Sequence, residues 1–304
     1  DYYPNYGNGG YDVAHYLLKV SYDPATDRLA GVATISARAT ECLSRFNLDF
    51  QGMTVRSVAV NGERARWSRS ADHELTVTPE RNLKKGRRFT TVVRYDGIPR
   101  TQIDLSVPEE PLPYGFIHTD DGAVVVSEPE GSANWFPLND HPTDKASFTF
   151  VVTVPAGLEA ISNGRLLGHR THGRSTTWVW DAREPMAPYL ATATIGQFDL
   201  RRYRTPDGLR MYDAVDPDLY AEHVDPQDPT SPTYGQVADG SLARQGEILD
   251  FLARQFGPYP FSTGGGIVDD ADDLFFALEN QTRAIYPKSF FTDPVSGDFV
   301  VVHE

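Results

Sequence analysis

The residues whose types and spacing could do chemistry lie at three places. The chain closes on His303-Glu304. This dipeptide is the first half of His-Glu-x-x-His. On a helix, residues four apart share one face, so two imidazoles at that spacing hold one zinc ion while the glutamate between them works on water. The chain stops before a second histidine would come. His73-Glu74 is the same dipeptide with Val77 four positions on, so that copy cannot complete the motif. The second place is Ala277-Leu278-Glu279-Asn280, a glutamate amid apolar residues. It either holds a cation or, as most glutamates do, faces water. The third is Glu128-Pro129-Glu130 and the aromatic, proline-rich stretch from Ala133 to Pro142, which also reads as a packed corner.

Other polar clusters carry blander expectations. Asp269-Asp270-Ala271-Asp272-Asp273 lacks the glycine and distal glutamate of an EF-hand, so a solvated acidic turn is expected in preference to a calcium loop. His118 and His141 are expected as hydrogen-bonded loop residues, and His169 and His172 as surface. Gly264 to Gly266 has no following Lys-Ser/Thr, which excludes a phosphate loop. Asn8-Gly9-Gly10 with Tyr2, Tyr3, Tyr6 and Tyr11 reads as a flexible arm docked by aromatics.

The elements that must position these groups change character along the chain. Short apolar runs at 15–22, 29–37, 55–60, 74–78, 89–95, 146–154, 176–180 and 189–198 are separated by Asp, Pro, Asn and Gly turns. That pattern predicts an antiparallel sandwich or saddle-like sheet. Residues 216–233 are rich in Asp and Pro and read as an irregular connection. A helix follows, with N-cap choices at Asp239, Gly240 and Ser241. Its face carries Leu242, Leu249, Leu252 and Phe256, and it stops at Gly257-Pro258. The expected division is therefore 1–214, antiparallel β, and 215–304, mixed helix and strand.

Composition narrows the function class. Of 304 residues, 28 are Lys or Arg and 42 are Asp or Glu, a net charge of −14. Such a surface repels phosphate backbones, which argues against nucleic acid as a partner. No apolar run reaches the about 18 residues of a membrane span. A single cysteine, Cys42, excludes an internal disulfide framework. The start at Asp1 and its Tyr/Asn/Gly-rich sequence lead us to expect a secreted, bacterial-type protein, with the cytoplasm as the alternative.

Taken in order, these segments resemble the M1 family of zinc aminopeptidases, the gluzincins that include aminopeptidase N and leukotriene A4 hydrolase. Glu128 to Ala146 is similar to the segment around that family's N-terminus-binding glutamate. Pro185-Met186-Ala187-Pro188-Tyr189-Leu190 with Ile195-Gly196-Gln197-Phe198 resembles its Met-Ser-x-Tyr-Leu…Gly-x-Phe pair. Phe256 to Phe261 resembles the helix end before the exopeptidase motif. Ala277-Leu278-Glu279-Asn280 is similar to Gly-x-Met-Glu-Asn, and Val301 to Glu304 to the start of the zinc helix. Two residues depart from the pattern. Phe276 stands for a glycine, which bears on the first specificity pocket, and Leu278 stands for methionine.

The resemblance implies a mainly β saddle or sandwich domain followed by the beginning of a thermolysin-like α/β catalytic domain. It implies peptide substrates with a free N-terminus, bound by the carboxylates of Glu128 and Glu279, with Ala277, Leu278 and Asn280 beside the substrate. His303 would ligate zinc and Glu304 would be the general base. With one zinc ligand in 304 residues, the chain is expected to be an incomplete and inactive fragment, its zinc helix cut at the first turn. A non-catalytic β-sandwich peptide-binding or interaction module is the alternative. An epoxide hydrolase of the same fold is a third reading.

Overall fold

The computed structural model describes residues 6–70, 73–104 and 112–304. The leading strand, Tyr11–Asp23, alternates buried and exposed side chains along its length, the period-2 signature of a half-buried strand. It lies at the middle of an eight-stranded sheet. One neighbour is Arg28–Ala39, antiparallel through the turn at Pro24 to Asp27. The other is Ala146–Pro155, which runs parallel to it. Ser175–Met186 and then Arg165–His172 extend the sheet to one edge. Arg88–Gly97, Thr54–Val60 and the short Glu63–Arg64 extend it to the other. A three-stranded sheet (Phe46–Asp49, Glu74–Thr78, Arg66–Arg69) completes the first part.

A five-stranded sheet is ordered Glu159–Ser162, Ala193–Gly196, Ala123–Val126, Leu112–His118, Thr101–Asp104. Ala123–Val126 is buried at every position, and the chain leaves it through Ser127 directly into Glu128. A second five-stranded sheet begins with the antiparallel pair Asp199–Arg204 and Arg210–Val215. It continues with parallel strands Thr263–Gly264, Gly266–Asp269 and Ala284–Pro287. The division expected after residue 214 thus falls at the end of a strand central to this sheet, which already starts at Asp199. One large core spans the β-sheets and reaches Tyr212, Ile267, Leu278 and Ile285, while a smaller one gathers Val215, Leu242, Val268, Tyr286, Phe291, Val300 and Val301.

The helices differ from the expected ones. Helix α1 spans Tyr234–Leu242 and is capped by Thr233, whose hydroxyl accepts from the Gln236 amide while the Gln236 side chain reaches back, a full capping box. Asp239, Gly240 and Ser241 therefore lie inside α1 and are not caps. The chain breaks at Ala243-Arg244, and α2 runs Gln245–Phe256 to Gly257, whose φ of 98° is left-handed. Of the expected apolar face only Leu242 is buried; Leu249 and Leu252 are half-buried and Phe256 is exposed. Helix α3, Pro294–His303, starts at Asp293, which accepts from the Val295 and Ser296 amides, with Pro294 at the first helical position. His303 is thus the tenth helical residue after the Asp293 cap and does not lie in a first turn.

Smaller expectations are also settled. Residues 188–190 form a 3-10 turn, so only 193–196 of the 189–198 run is strand. Tyr11 is buried in a strand, and Tyr6 stacks on His73 at 4.2 Å; Tyr2 and Tyr3 lie outside the described residues. His118 bonds the Pro99 carbonyl and the Tyr22 hydroxyl. His169 and His172 are exposed, as expected, with His169 stacked on Trp178.

Candidate functional site

A cleft of about 680 Å³ opens between α2, the end of α3 and the segment Glu279–Ala284. One wall is the apolar face of α2: Ile248, Leu249, Leu252, Ala253 and Phe256. This explains why that face is not in the core. The opposite wall is a tight hairpin. Leu278 donates its amide to the Ile285 carbonyl (2.9 Å) and accepts from the Ile285 amide (3.0 Å), and the chain turns through Thr282 at a φ of 68°. Both main-chain groups of Leu278 are therefore used inside the protein. Phe276 packs on the larger core and is not a cleft wall.

The hairpin is held from below by buried polar groups. Asn280 is 1% exposed and donates to the Leu190 carbonyl (2.9 Å). Asn163 donates to the carbonyls of both Leu190 and Gln281. The Thr282 hydroxyl accepts from the Gly164 amide (2.7 Å). Arg283, 1% exposed, donates to the carbonyls of Tyr212, Gly264 and Gly164. Such partners satisfy backbone that would otherwise be buried unpaired. The outcome is a rigid platform that leaves the Glu279 side chain exposed.

Carboxylates gather at this platform. Tyr189 donates its hydroxyl to Glu279 Oε1 at 2.6 Å. Burial and the charge of Glu279 raise the Glu128 pKa. Burial, then Glu279 and Glu128, push Glu304 up to about 7 against the opposing effect of His303. The Glu279 charge thus raises the pKa of both Glu128 and Glu304, which marks a place where a cation is favourable. His303 and Glu304 line the same cleft. The structure thus brings together Glu279, His303 and Glu304, with Glu128 within electrostatic reach. Asn280 serves the hairpin's interior, and its Oδ1 is buried without a partner among the described residues. Tyr189 stood in the sequence only as part of the segment resembling Met-Ser-x-Tyr-Leu, with no role assigned; it reaches Glu279 across 90 positions.

Whether zinc fits rests on the donors. Among the described residues, three or more ligand atoms converge only at Asp49, His73 and Glu74 and at Asp216, Asp269 and Asp270. Neither group includes His303. A protein zinc site takes three side-chain ligands or more. The donors at the cleft do not by themselves make one.

The acidic run at 269–273 is a correction. Asp269 is 2% exposed at a strand end, and its carboxylate stands within 4.8 Å of those of Asp216 and Asp270; Asp272 and Asp273 alone are solvated. Burial pushes Asp269 up to about 8 and Asp216 up to about 7, with Asp270 and Asp121 adding to both. Lys288 opposes this at Asp270. The folded state keeps protons here that an unfolded carboxyl releases near 3.8. That contribution is full at acid pH and is lost as pH rises through about 8. Stability should therefore fall by roughly 1–3 kcal/mol between pH 5 and 9, and Asp269→Asn should flatten the slope. Thermal melts across that range check this; an equal slope in the variant would contradict it.

Comparison with known proteins adds the last finding. Residues 12–190 match the family model of the peptidase M1 N-terminal domain. The M1 zinc metallopeptidase of Deinococcus radiodurans superposes with a TM-score of 0.79 at 28% identity, over 94% of this chain and 62% of that one. A two-domain M1 zinc metallopeptidase mutant solved with L-arginine gives 0.82 at 27% identity, over 99% of this chain and 65% of that one. Aminopeptidase M1 of Arabidopsis thaliana is 32% identical over 89 residues, 29% of this chain and 10% of that protein. The chain thus spans under two thirds of the length of these relatives.

Proposed function

The chain belongs to the peptidase M1 family, and on that premise we propose that it is part of a zinc aminopeptidase that removes residues from the free N-terminus of peptides. The observation that carries this is the Glu279 carboxylate, held by Tyr189 in the cleft that His303 and Glu304 also line, with Glu128 close enough to feel its charge. An α-ammonium group placed between Glu128 and Glu279 relieves their repulsion and forms charge-assisted hydrogen bonds. An acylated or internal amide brings no charge and leaves both carboxylates desolvated. A mutant of the Deinococcus enzyme was solved with the substrate Tyr-Ser-Ala, a peptide of this kind.

In this reading Tyr189 positions Glu279 through the 2.6 Å bond. The main chain at Ala277 and Glu279 pairs with an extended substrate by strand addition, while Leu278 supports it from within. The apolar face of α2 takes side chains of the substrate. Glu304 takes a proton from water and passes it to the leaving amine. His303 would be one ligand of a zinc ion, which would supply Lewis-acid polarisation of the scissile carbonyl. We place the division between the β part and the catalytic part near residue 198, where the second five-stranded sheet begins.

Because one imidazole does not make a zinc site, the 304 residues alone should retain well under one zinc per chain after gel filtration, and should not cleave Tyr-Ser-Ala. Metal analysis with a cleavage assay checks this. One tightly held zinc per chain with turnover would contradict it.

A further inference from the structure

A second cavity lies where two sheet edges meet. Arg165–His172 is the edge strand of the eight-stranded sheet, and Asp199–Arg204 is the edge of the sheet that carries the cleft. Between them is a space of about 380 Å³ lined by Arg165, Arg202, Arg204, Arg210 and Arg283. Five arginines thus line one cavity in a chain of net charge −14; Arg202, Arg204 and Arg210 are exposed and Arg165 is half-buried.

These arginines lack the partners that others in the chain have. Arg28 and Arg56 pair with Asp96, Arg183 with Asp181 and Arg201 with Asp239. Among the described residues, none of the five in the cavity has a carboxylate within ion-pair distance. Arg202 donates to the Tyr212 hydroxyl (3.2 Å) and Arg204 to the Gly208 carbonyl (2.8 Å), both neutral acceptors. Arg204 and Arg210 stand directly opposite each other across the antiparallel pair. Like charges so placed destabilise a sheet unless something neutralises them. Arg283 is fully buried, and its Nε has no partner. Acids around the cavity are engaged elsewhere: Asp181, opposite Arg165 in the sheet, pairs with Arg183, Asp213 accepts from Gln245 and the Gly266 amide, and Glu159 accepts from the Phe198 amide.

We propose that this cavity binds an oxyanion, a phosphate or carboxylate group held between Arg204 and Arg210 with Arg165 and Arg202 around it. The planar guanidinium fork matches such groups in a way a lysine does not. Trp180 and Tyr212, over which Arg283 stacks at 5.4 and 5.1 Å, line the cavity beside these arginines. This site does not depend on the peptidase reading, since none of the four outer arginines belongs to the cleft.

The test is calorimetric titration of the chain with inorganic phosphate and, separately, with succinate, at ionic strength held constant with sodium chloride. At least one probe should bind saturably at one site. Arg204→Gln/Arg210→Gln should weaken it about tenfold or more, while the exposed pair Arg87→Gln/Arg88→Gln should not. Binding of phosphate alone, or of succinate alone, identifies which group the site takes. Should the double variant misfold, protection of Arg204 and Arg210 in the native chain from phenylglyoxal by the bound probe, read by mass spectrometry, carries the same decision. No saturable binding of either probe, equal affinity in the double variant, or no protection would overturn the proposal.

Discussion

Replacing Glu279 by Gln in an active enzyme carrying this chain is expected to lower kcat/KM for free-amine substrates by about a hundredfold, because bound substrate covers this otherwise exposed carboxylate and leaves the ammonium group without its charged partner. Glutamine keeps the volume and can still accept from Tyr189, so the hairpin should survive. The change removes only the charge that Glu128 and Glu304 now feel. N-acetylated substrates never use that charge, so their slow cleavage should not fall in parallel. Glu128→Gln should act in the same direction. If Glu279→Gln reduced both substrate classes equally, the residue would be serving the fold or the chemistry in general, and not the ammonium group.

The second large effect belongs to Arg283. Its guanidinium joins three segments through the carbonyls of Tyr212, Gly264 and Gly164, and stacks on Trp180 and Tyr212. Burial lowers its pKa to about 10, so it stays charged in the neutral range. Arg283→Leu would strand three buried carbonyls at once. The expected loss is roughly 3–5 kcal/mol of stability, or about 10 °C in Tm for a chain of this size. Arg283→Lys keeps the charge without the fork and should fall between. Thermal unfolding followed by circular dichroism reads both; a leucine variant melting within about 2 °C of the native chain would contradict this account.

How much of this was legible follows from where the signals are local. Strands such as Tyr11–Asp23 and Ala146–Pro155 alternate apolar and polar residues because one face is buried, and the sequence shows it. Asp199–Arg204 is an edge strand with almost no buried face, and its Asp-Leu-Arg-Arg-Tyr-Arg carries no alternation to read. Leu112–His118 was hidden because it is buried nearly throughout and interrupted by Pro113 and by Gly115 at a φ of 83°. Both helix starts were written locally and overlooked: Thr233 with Gln236 is a capping box, and Asp293-Pro294 is a cap followed by proline at the first helical position. Asp269 looked solvated because its neighbours are acidic, yet its strand buries it.

The site was legible only as a resemblance. Nothing in Glu128 or Glu279 alone sets them apart from other glutamates, and their segments are 151 positions apart by number. The fold brings Glu128 close enough to feel the charge of Glu279. The support beneath the hairpin, from Asn163, Gly164 and Arg283, has no sequence signature, since each bond joins a side chain to a main-chain group far along the chain.

The central claim is recognition of a free amine by Glu128 and Glu279. The most direct measurement compares kcat/KM for Tyr-Ser-Ala and N-acetyl-Tyr-Ser-Ala in the active enzyme carrying this chain and in its Glu279→Gln variant. The account predicts a strong preference for the free amine in the first enzyme and its near disappearance in the second. Equal cleavage of both peptides by the unaltered enzyme would contradict it.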